Sequence, residues 1–315
     1  MPADHLTHHA ATIGDRAAVI DDPPGEPCRI IDYASFNALV NRLANGLVDL
    51  GIEREEHVAW WGRNSLETLA AMHAIRKAGA VSVPIPYRST DHEAEYLLEN
   101  ADAVALIVEG RSADQVARIQ GNLAKLRHVI VHGEGARGGQ EGWDDILGSA
   151  AMPTTEGDEA TRTMIYTSGT TGLPKGAVRQ VGGAANQFSA LLELFGWPDM
   201  DPLIFLTTGP LYHSGPSGFA LRAQLVGGTI VTQAHFDAED WLRLVDTHGV
   251  TASFSAPTPI RRVTALPPGV KAQYDVSSMR TMIANAAPWT MTLKEAYLRD
   301  FPPESLWEVY GSTEL

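Results

Sequence analysis

The chain has 315 residues, of which 44% are hydrophobic and 20% are charged, a composition typical of a globular protein with a large core and not of a disordered chain. Its 24 basic and 38 acidic residues give a formal net charge of -14, which disfavours nucleic acid as a partner because phosphate backbones are also negative. Cys28 is the only cysteine, so an internal disulfide is excluded and a reducing compartment, the cytoplasm, is expected.

The N-terminus lacks the basic start and apolar run of a secretory signal. No apolar stretch approaches the ~20 residues that a transmembrane helix needs, so we expect no transmembrane segment. The histidines at positions 5, 8 and 9 are expected to lie in a mobile terminus and not in a metal site.

Helices and strands alternate along the first half of the chain. From Tyr33 to Leu50 apolar residues recur at helical spacing, and Gly51 ends the run, which predicts an amphipathic helix. The pattern then predicts a strand over 57–61, a helix capped by Asn64-Ser65 and ending at Gly79, a strand over 81–85, a helix over 91–100, a strand over 104–108, a helix over 113–123 and a strand over 128–131.

The second half continues in the same way after two expected loops, 133–142 and 154–159. A junction between Ala150 and Thr161 divides the chain into approximate subdomains 1–155 and 156–315. The pattern then predicts a strand over 163–167, a helix over 183–195 and a strand over 203–207. This alternation predicts an α/β fold with mainly parallel sheets covered by helices.

A segment rich in glycine and hydroxyl groups follows the apolar Met164-Ile165. Three glycines, four Ser or Thr hydroxyls and one lysine share the eleven positions from Tyr166 to Gly176. Glycines let backbone N–H groups approach a ligand, hydroxyls donate to anionic oxygens and the ammonium adds positive charge, so the segment suits a polyphosphate. A solvated loop without function is the alternative. The G-x-x-x-x-G-K-[ST] pattern is not met, because Pro174 and Gly176 flank the lysine.

The segment Thr167 to Lys175 closely resembles the phosphate-binding signature of the adenylate-forming superfamily, which includes acyl-CoA synthetases, luciferases and nonribosomal peptide adenylation domains. The segments 33–51, 64–67 and 76–84 and the final Tyr-Gly-Ser-Thr-Glu also resemble this family. The resemblance implies the large N-terminal domain of that fold, truncated before the small C-terminal lid domain.

The resemblance also implies a nucleotide site. The expected nucleotide-binding residues are Thr167, Ser168, Gly169, Thr170, Thr171, Gly172, Lys175, Asn285, Ala286, Ala287, Tyr310, Gly311, Ser312 and Thr313. Within this set, Tyr310 is expected to stack on adenine, Thr313 to contact the α-phosphate and Glu314 to ligate Mg²⁺. The family usually has glycine where Asn285 stands, so its amide could alter the ribose or acyl side of the pocket, while an ordinary turn is the alternative.

The segment 210–216 resembles the family motif whose histidine lies beside the substrate carboxylate and the thiol entry path, which implies that His213, Ser214 and Gly215 bind the substrate. The expected catalytic residues are Lys175, Thr167, His213 and Glu314.

The implied activity is that of an AMP-forming acid-thiol ligase, with ATP, Mg²⁺ and coenzyme A, acting on a small-molecule carboxylic acid. The apolar, neutral segment 205–220 favours a fatty or other hydrophobic acid. Because the sequence stops after the last motif, we expect weak nucleotide binding and poor turnover. The alternatives are an adenylation domain serving a carrier protein and a non-catalytic nucleotide-binding relative.

Overall fold

The computed structural model describes residues 4–148, 162–167, 175–180 and 185–310. The strands in these ranges are, in chain order, β1 (Ala17–Asp21), β2 (Arg29–Asp32), β3 (His57–Trp61), β4 (Val81–Ile85), β5 (Ala105–Glu109), β6 (His128–His132), β7 (Glu141–Gly142), β8 (Arg162–Thr167), β9 (Lys175–Gln180), β10 (Ile204–Leu206), β11 (Thr229–Thr232), β12 (Ala252–Ser255), β13 (Thr281–Ala284) and β14 (Leu306–Glu308). The α-helices are α1 (His5–Thr12), α2 (Tyr33–Asp49), α3 (Leu66–Lys77), α4 (Asp91–Asn100), α5 (Ala113–Ile119), α6 (Trp143–Ile146), α7 (Ala185–Leu194), α8 (Ser214–Leu225), α9 (Ala238–His248), α10 (Pro257–Thr264), α11 (Pro268–Lys271) and α12 (Met291–Asp300). Within these ranges, no helix is both long enough and apolar enough to cross a membrane.

The chain divides into two compact units. The first contains residues 1–14 and 34–185, and the second contains residues 15–33 and 186–315. This division differs from the subdomains 1–155 and 156–315 expected from the sequence. The difference arises because β8 and β9 extend the sheet of the first unit, while the hairpin of β1 and β2 belongs to the sheet of the second. The expected junction between Ala150 and Thr161 lies mostly outside the described residues, as does the expected loop 154–159.

The first unit is built on a seven-stranded sheet with the order β7-β6-β5-β3-β4-β8-β9. Neighbouring strands run parallel except β8 and β9, which are antiparallel. Every residue of β4 is buried, as expected for a parallel strand covered on both faces. Local signals set the helix starts: the Ser65 side chain accepts from Thr68 N at the start of α3, and Thr90 and Glu93 form a capping box at the start of α4.

The segments 113–123 and 133–142 of this unit differ from the sequence prediction. The helix expected over 113–123 ends at Ile119, and a 3₁₀ turn over Gln120–Asn122 follows it. The loop expected over 133–142 ends in the short edge strand β7. Glu141 explains this strand, because its carboxylate accepts from Val129 N (3.0 Å) and lies 2.9 Å from His128 Nδ1, which attaches the segment to β6.

The expectation of a mobile N-terminus was wrong for residues 5–12, which form α1. Asp4 caps this helix by accepting from Thr7 N at 3.2 Å, and its carboxylate lies 2.8 Å from the ammonium of Lys77 in α3. His5 is 4% exposed. A cap and an ion pair with the buried Lys77 ammonium therefore hold the helix in place, and neither has a signature in the local apolar pattern.

The second unit is built on a seven-stranded sheet with the order β14-β13-β12-β10-β11-β1-β2. All neighbouring strands run parallel except β1 and β2, which form an antiparallel hairpin. The helices α9, α10 and α12 cover one face with a buried cluster that includes Trp241, Tyr297 and Phe301. The rings of Tyr297 and Phe301 stack at 4.5 Å. The expected α/β fold with mainly parallel sheets is confirmed in both units.

Candidate functional site

The predicted phosphate-binding segment joins two antiparallel strands of the first unit. Thr167 ends β8 and Lys175 begins β9, and these two residues are paired in the sheet register. Both ends of the segment therefore lie side by side, so residues 168–174 form the connection of a hairpin. That connection, with Ser168, Gly169, Thr170, Thr171 and Gly172, lies outside the described residues, as do the side chains of Thr167 and Lys175. Their contacts with phosphate stay predictions.

The hairpin is fixed to its unit by Tyr166. Its hydroxyl lies 2.8 Å from Asn100 Oδ1 and 3.4 Å from Leu97 O, both at the end of α4. Burial, with the nearby Tyr96 and Asp102, raises the pKa of Tyr166 to about 12, so the phenol stays protonated as a donor at neutral pH. Tyr166 thus acts as an anchor for the strand that leads into the predicted loop.

Gly176 packs closely beside this anchor. A Cβ atom on Gly176 would lie 2.3 Å from Met164 Cε, the end of a flexible side chain, and 3.1 Å from Tyr166 Cζ. A larger residue would therefore require the Met164 side chain to move and the Tyr166 ring to shift by a few tenths of an ångström.

The other predicted site residues follow parallel strands of the second unit. His213 lies in the connection after β10, Asn285 directly follows β13, and Tyr310 lies two residues beyond β14. In the register, Leu206 pairs with Ser253, Ser255 with Ala284, and Ala284 with Glu308, so these connections leave the same edge of the sheet. The carboxyl edge of parallel strands is where ligands bind in open α/β sheets.

His213 occupies the N-cap position of α8. Its carbonyl accepts from Ser217 Oγ at 2.8 Å, and its ring lies 4.3 Å from the ring of Tyr212. The side chain is exposed to solvent, yet the surrounding protein desolvates the imidazole enough to lower its pKa below the ordinary value. The ring is therefore neutral at neutral pH and offers one donor and one acceptor to a ligand.

The first turn of α8 passes closely over an aromatic residue of β12. A Cβ atom on Gly215 would lie 2.5 Å from Phe254 Cζ, so only glycine fits at this position. Phe254 in turn stacks on Phe219 at 5.4 Å and 22°. The predicted substrate residues Ser214 and Gly215 therefore lie at the start of a helix that packs on buried aromatic rings of the core.

Asn285 connects the two loops that follow β13 and β14. Its Nδ2 donates to the carbonyl of Val309, and its Oδ1 accepts from the backbone N–H of Ala286. Ala286 has a positive φ of 67°, and Ala287 after it is exposed. The ring of Tyr310 is 99% exposed and is therefore accessible for stacking. Gly311, Ser312, Thr313 and Glu314 lie outside the described residues.

A series of hydrogen-bonded buried hydroxyl groups lies behind this edge and was not predicted from the sequence. Trp241 Nε1 donates to Thr208 Oγ1 at 2.6 Å, Thr208 Oγ1 lies 2.6 Å from Ser253 Oγ, and Ser253 Oγ donates to Leu206 O at 2.9 Å. This series fixes the start of the connection that leads to His213. The polar Thr207-Thr208 pair directly after an apolar strand was the available signal.

One group of possible metal ligands lies elsewhere in the second unit. Among the described residues, Asp22, Cys28 and His248 bring one ligand atom each within 4.8 Å of one another. The Asp22 carboxylate is already bound by Arg243 Nη1 at 2.6 Å and by His248 Nε2 at 2.9 Å. A guanidinium so close disfavours a cation, so we interpret the group as an ion-pair network that attaches β1 to α9.

Comparisons with known proteins identify the family and the fold of the chain. The family described as "AMP-binding enzyme" matches residues 6–315. The 3-oxocholest-4-en-26-oate--CoA ligase of Rhodococcus rhodochrous is 27% identical over 337 residues, which cover 99% of this chain and 60% of that protein. A medium/long-chain-fatty-acid--CoA/3-oxocholest-4-en-26-oate--CoA ligase of Mycobacterium tuberculosis is 29% identical over 340 residues with the same coverage.

A solved structure supports the fold. The inhibitor-bound N-terminal domain of FACL13 from Mycobacterium tuberculosis matches with a TM-score of 0.81 and 25% identity, covering 98% of this chain and 75% of that one. The chain therefore has the architecture of such an N-terminal domain, and it spans about 60% of the length of the two curated relatives.

Proposed function

Because the chain belongs to the AMP-binding enzyme family, with residues 6–315 matched, we propose that it is part of an AMP-forming acid-thiol ligase. One observation carries the proposal: a family match over nearly the whole chain includes a Gly/hydroxyl/Lys segment that connects paired strands β8 and β9. The activity is proposed for the whole protein, since the chain spans only part of its relatives.

The proposed reaction has two steps. In the first, a carboxylate oxygen of the acid attacks the α-phosphorus of ATP, and the bond to the β-phosphate oxygen breaks, releasing pyrophosphate. In the second, the sulfur of coenzyme A attacks the acyl carbon, the thiol loses its proton and AMP leaves. The carboxylate is a poor electrophile, and conversion to acyl-AMP gives it a good leaving group.

Residues of this chain bind and orient the nucleotide. The hydroxyls of Thr167, Ser168, Thr170 and Thr171, backbone N–H groups at Gly169 and Gly172 and the ammonium of Lys175 would stabilise the negative charge that gathers on phosphate oxygens. Tyr310, whose ring is exposed, would stack on adenine beside the backbone of Ala286 and Ala287, and Thr313 in the Gly311-Ser312-Thr313 segment would contact the α-phosphate. Bound Mg²⁺ would neutralise triphosphate charge, and Glu314 supplies the hard carboxylate oxygen it prefers.

A hydrophobic carboxylic acid is the proposed substrate. The relatives' names specify medium- and long-chain fatty acids and 3-oxocholest-4-en-26-oate, and the segment 205–220 around His213 is apolar and neutral. His213, with a neutral imidazole, would donate to the acid carboxylate beside Ser214. The partners are thus the small-molecule acid, ATP and coenzyme A. We also propose a cytoplasmic location, which the single cysteine supports.

Two experiments test the proposal. Isothermal titration of the chain with ATP and Mg²⁺ should give saturable binding, and its absence would reject the nucleotide site. ATP binding by the whole protein without pyrophosphate release for any acid would favour the non-catalytic nucleotide-binding relative. Pyrophosphate release by the whole protein should then depend on acids from a panel of short, medium, long and aromatic chains. Transfer of the acyl group to coenzyme A would support the acyl-CoA ligase activity. Transfer of the acyl group only to a carrier protein would instead support the adenylation-domain alternative.

A further inference from the structure

Asn285 occupies a position that joins two segments of the proposed nucleotide site. The segments are the loop that begins at Asn285 after β13 and the pair Val309-Tyr310 after β14. The backbone alone connects them only where the strands end, by the hydrogen bond from Val309 N to Ala284 O at 3.1 Å. Beyond this point, parallel strands offer no further ladder hydrogen bonds, so the two connections need another link to keep a fixed separation.

The Asn285 side chain provides that link. Its Nδ2 donates to Val309 O, the carbonyl that immediately precedes Tyr310. Its own backbone N–H donates to Ser255 O at 3.2 Å, so Asn285 is bonded to the ends of both neighbouring strands, β12 and β14. One residue therefore spans three adjacent strand ends at the carboxyl edge of the sheet.

The amide oxygen of Asn285 makes a second hydrogen bond, within the loop that follows β13. Asn285 Oδ1 accepts from Ala286 N, and Ala286 has a φ of 67°, a conformation that costs free energy for any residue with a Cβ atom. The hydrogen bond compensates for part of this cost and fixes the direction in which the backbone of Ala286 and Ala287 leaves the sheet. A glycine at position 285 could make neither side-chain bond.

We propose that Asn285 is a positioning residue that holds the Ala286-Ala287 backbone and Tyr310 in one fixed arrangement for the base of the nucleotide. The inference rests on the proposed nucleotide site, and it assigns the Asn285 amide to the protein backbone and not to the ribose or the acid. Loss of the amide should leave both segments present but free to move relative to each other, so that part of the binding free energy is spent on ordering them.

The first test uses amide hydrogen exchange of the 315-residue chain without any ligand, so that it does not depend on the proposed function. Asn285→Ala should raise exchange at least about fivefold in a peptide covering 306–310, while β12 stays protected, because local opening of this segment no longer breaks the hydrogen bond from Asn285 Nδ2 to Val309 O. Lys294→Ala is the matched control: it removes the Lys294 Nζ to Glu308 Oε2 contact of 2.7 Å, another tie to β14 that does not touch the loop after β13. Unchanged exchange in Asn285→Ala, or an equal rise in both variants, would reject the positioning role.

The second test uses ATP with Mg²⁺ as the probe. Asn285→Ala should raise the dissociation constant for ATP about tenfold and leave the melting temperature unchanged. A tenfold change corresponds to the loss of one or two hydrogen bonds. In the whole protein the loss should appear in KM for ATP and not in KM for the acid. If ATP binds the wild-type chain and Asn285→Ala equally well, the positioning role is rejected even where exchange has increased. If the wild-type chain does not bind ATP, the proposed function is wrong. The exchange experiment then tests by itself whether Asn285 holds the loops after β13 and β14 together.

Asn285→Asp provides a near-isosteric variant in case the alanine variant folds poorly. Aspartate keeps the acceptor for Ala286 N but loses the donor and turns a carboxylate oxygen toward the Val309 carbonyl. We expect it to match or exceed the effect of alanine in both measurements. Wild-type exchange and affinity in Asn285→Asp would show that the Val309 contact has no role and would overturn the inference.

Discussion

Lys175 is the single cation in a segment otherwise made of glycine, proline, leucine and hydroxyl-bearing residues, and the sheet register places it opposite Thr167. We expect Lys175→Ala to weaken ATP binding about 10- to 100-fold, because a charge-assisted hydrogen bond contributes about 1.5–3 kcal/mol. Calorimetric titration with ATP and Mg²⁺ measures the change.

A matched lysine of the same unit serves as the control. Lys125 has a 63% exposed side chain and pairs with the equally open Asp102 at 2.7 Å. Lys125→Ala should leave ATP binding unchanged, and both variants should keep the free energy of unfolding within about 0.5 kcal/mol of the wild type. Normal ATP use by Lys175→Ala would remove the role given to the lysine.

Individual residues of the site differ in how far the sequence predicts their roles. The residue types of the phosphate segment carry their chemistry in one contiguous run, so the segment is visible without coordinates. The contact of Gly215 with Phe254 is not visible, because it depends on how α8 crosses a strand about 40 positions later in the chain. The Asn285 link is hidden for the same reason, since its acceptor lies 24 positions away.

At the scale of elements, α1 is held to α2 and α3 through one buried ammonium. Lys77 is 6% exposed, and its Nζ lies 2.8 Å from Asp4 Oδ2 and 2.7 Å from both Asn37 Oδ1 and Asn41 Oδ1. Burial acts to raise the pKa of Asp4, but hydrogen bonds from Lys77 and Thr7 outweigh it, so the pKa lies below its ordinary value. The carboxylate therefore stays charged at neutral pH, while burial lowers the pKa of the Lys77 ammonium and the Asp4 carboxylate opposes that shift.

We expect Lys77→Met to lower the free energy of unfolding by about 2–4 kcal/mol, because it leaves the partly buried Asp4 carboxylate unpaired. Urea unfolding measures this value. Lys125→Met should cost less than about 1 kcal/mol, since its ion pair is exposed on both sides. A loss at Lys77 no larger than that at Lys125 would contradict the structural role of the buried ammonium.

The same helix carries a pH dependence through His5. Burial lowers the pKa of His5 well below its usual value, and Arg76, His73, His9 and Lys77 add positive charge in the same direction. The unfolded chain binds a proton on this histidine near pH 6.5, whereas the folded chain does not. The contribution of His5 to the free energy of unfolding is therefore fully present above about pH 6.5. It is lost as the pH falls below 6.5, because the unfolded state binds more protons there.

We expect urea midpoints to be constant from pH 8 to pH 7 and to decrease from pH 6.5 to pH 5, with a contribution from His5 of up to about 1.4 kcal/mol per pH unit. His5→Phe should reduce this slope because phenylalanine does not bind a proton. The substitution keeps a ring beside that of His73, whose centroid lies 5.5 Å from the centroid of the His5 ring. An unchanged slope in the variant would assign the pH dependence to other groups.

The elements differ in how far the sequence predicts them. Strands over 57–61 and 81–85 and the helix over 91–100 were predicted at their observed bounds, because their apolar periodicity and caps are local. The helix α1 was missed since the partner of its capping residue lies on α3, far along the chain. The hairpin of β1 and β2 was also missed, because its place is set by pairing with β11.

At the scale of the whole molecule, the first 33 residues contribute to both units. Residues 1–14 belong to the first unit and residues 15–33 to the second, where the Tyr33 hydroxyl donates to Gly228 O at 2.6 Å. We expect deletion of residues 1–14 to raise amide exchange in α2 and α3 while β11 stays protected. Deletion of residues 1–33 should raise exchange in β11 as well, because β1 no longer pairs with it.

Hydrogen exchange with mass spectrometry distinguishes these outcomes, and soluble yield gives a second readout. The longer deletion leaves β11 as an exposed edge strand, which favours aggregation. Equal protection of β11 in both deletion variants would contradict the assignment of residues 15–33 to the second unit.

The pairing of β1 with β11 has a consequence for synthesis on the ribosome. Asp21 and Thr232, hydrogen-bonded in the finished sheet, are 211 positions apart. At translation rates of roughly 5–20 residues per second, the N-terminal hairpin emerges about 10–40 s before its neighbouring strand. During that interval the apolar Ala18 and Val19 lack their final cover, so the hairpin exposes apolar surface that favours aggregation until β11 has been synthesised.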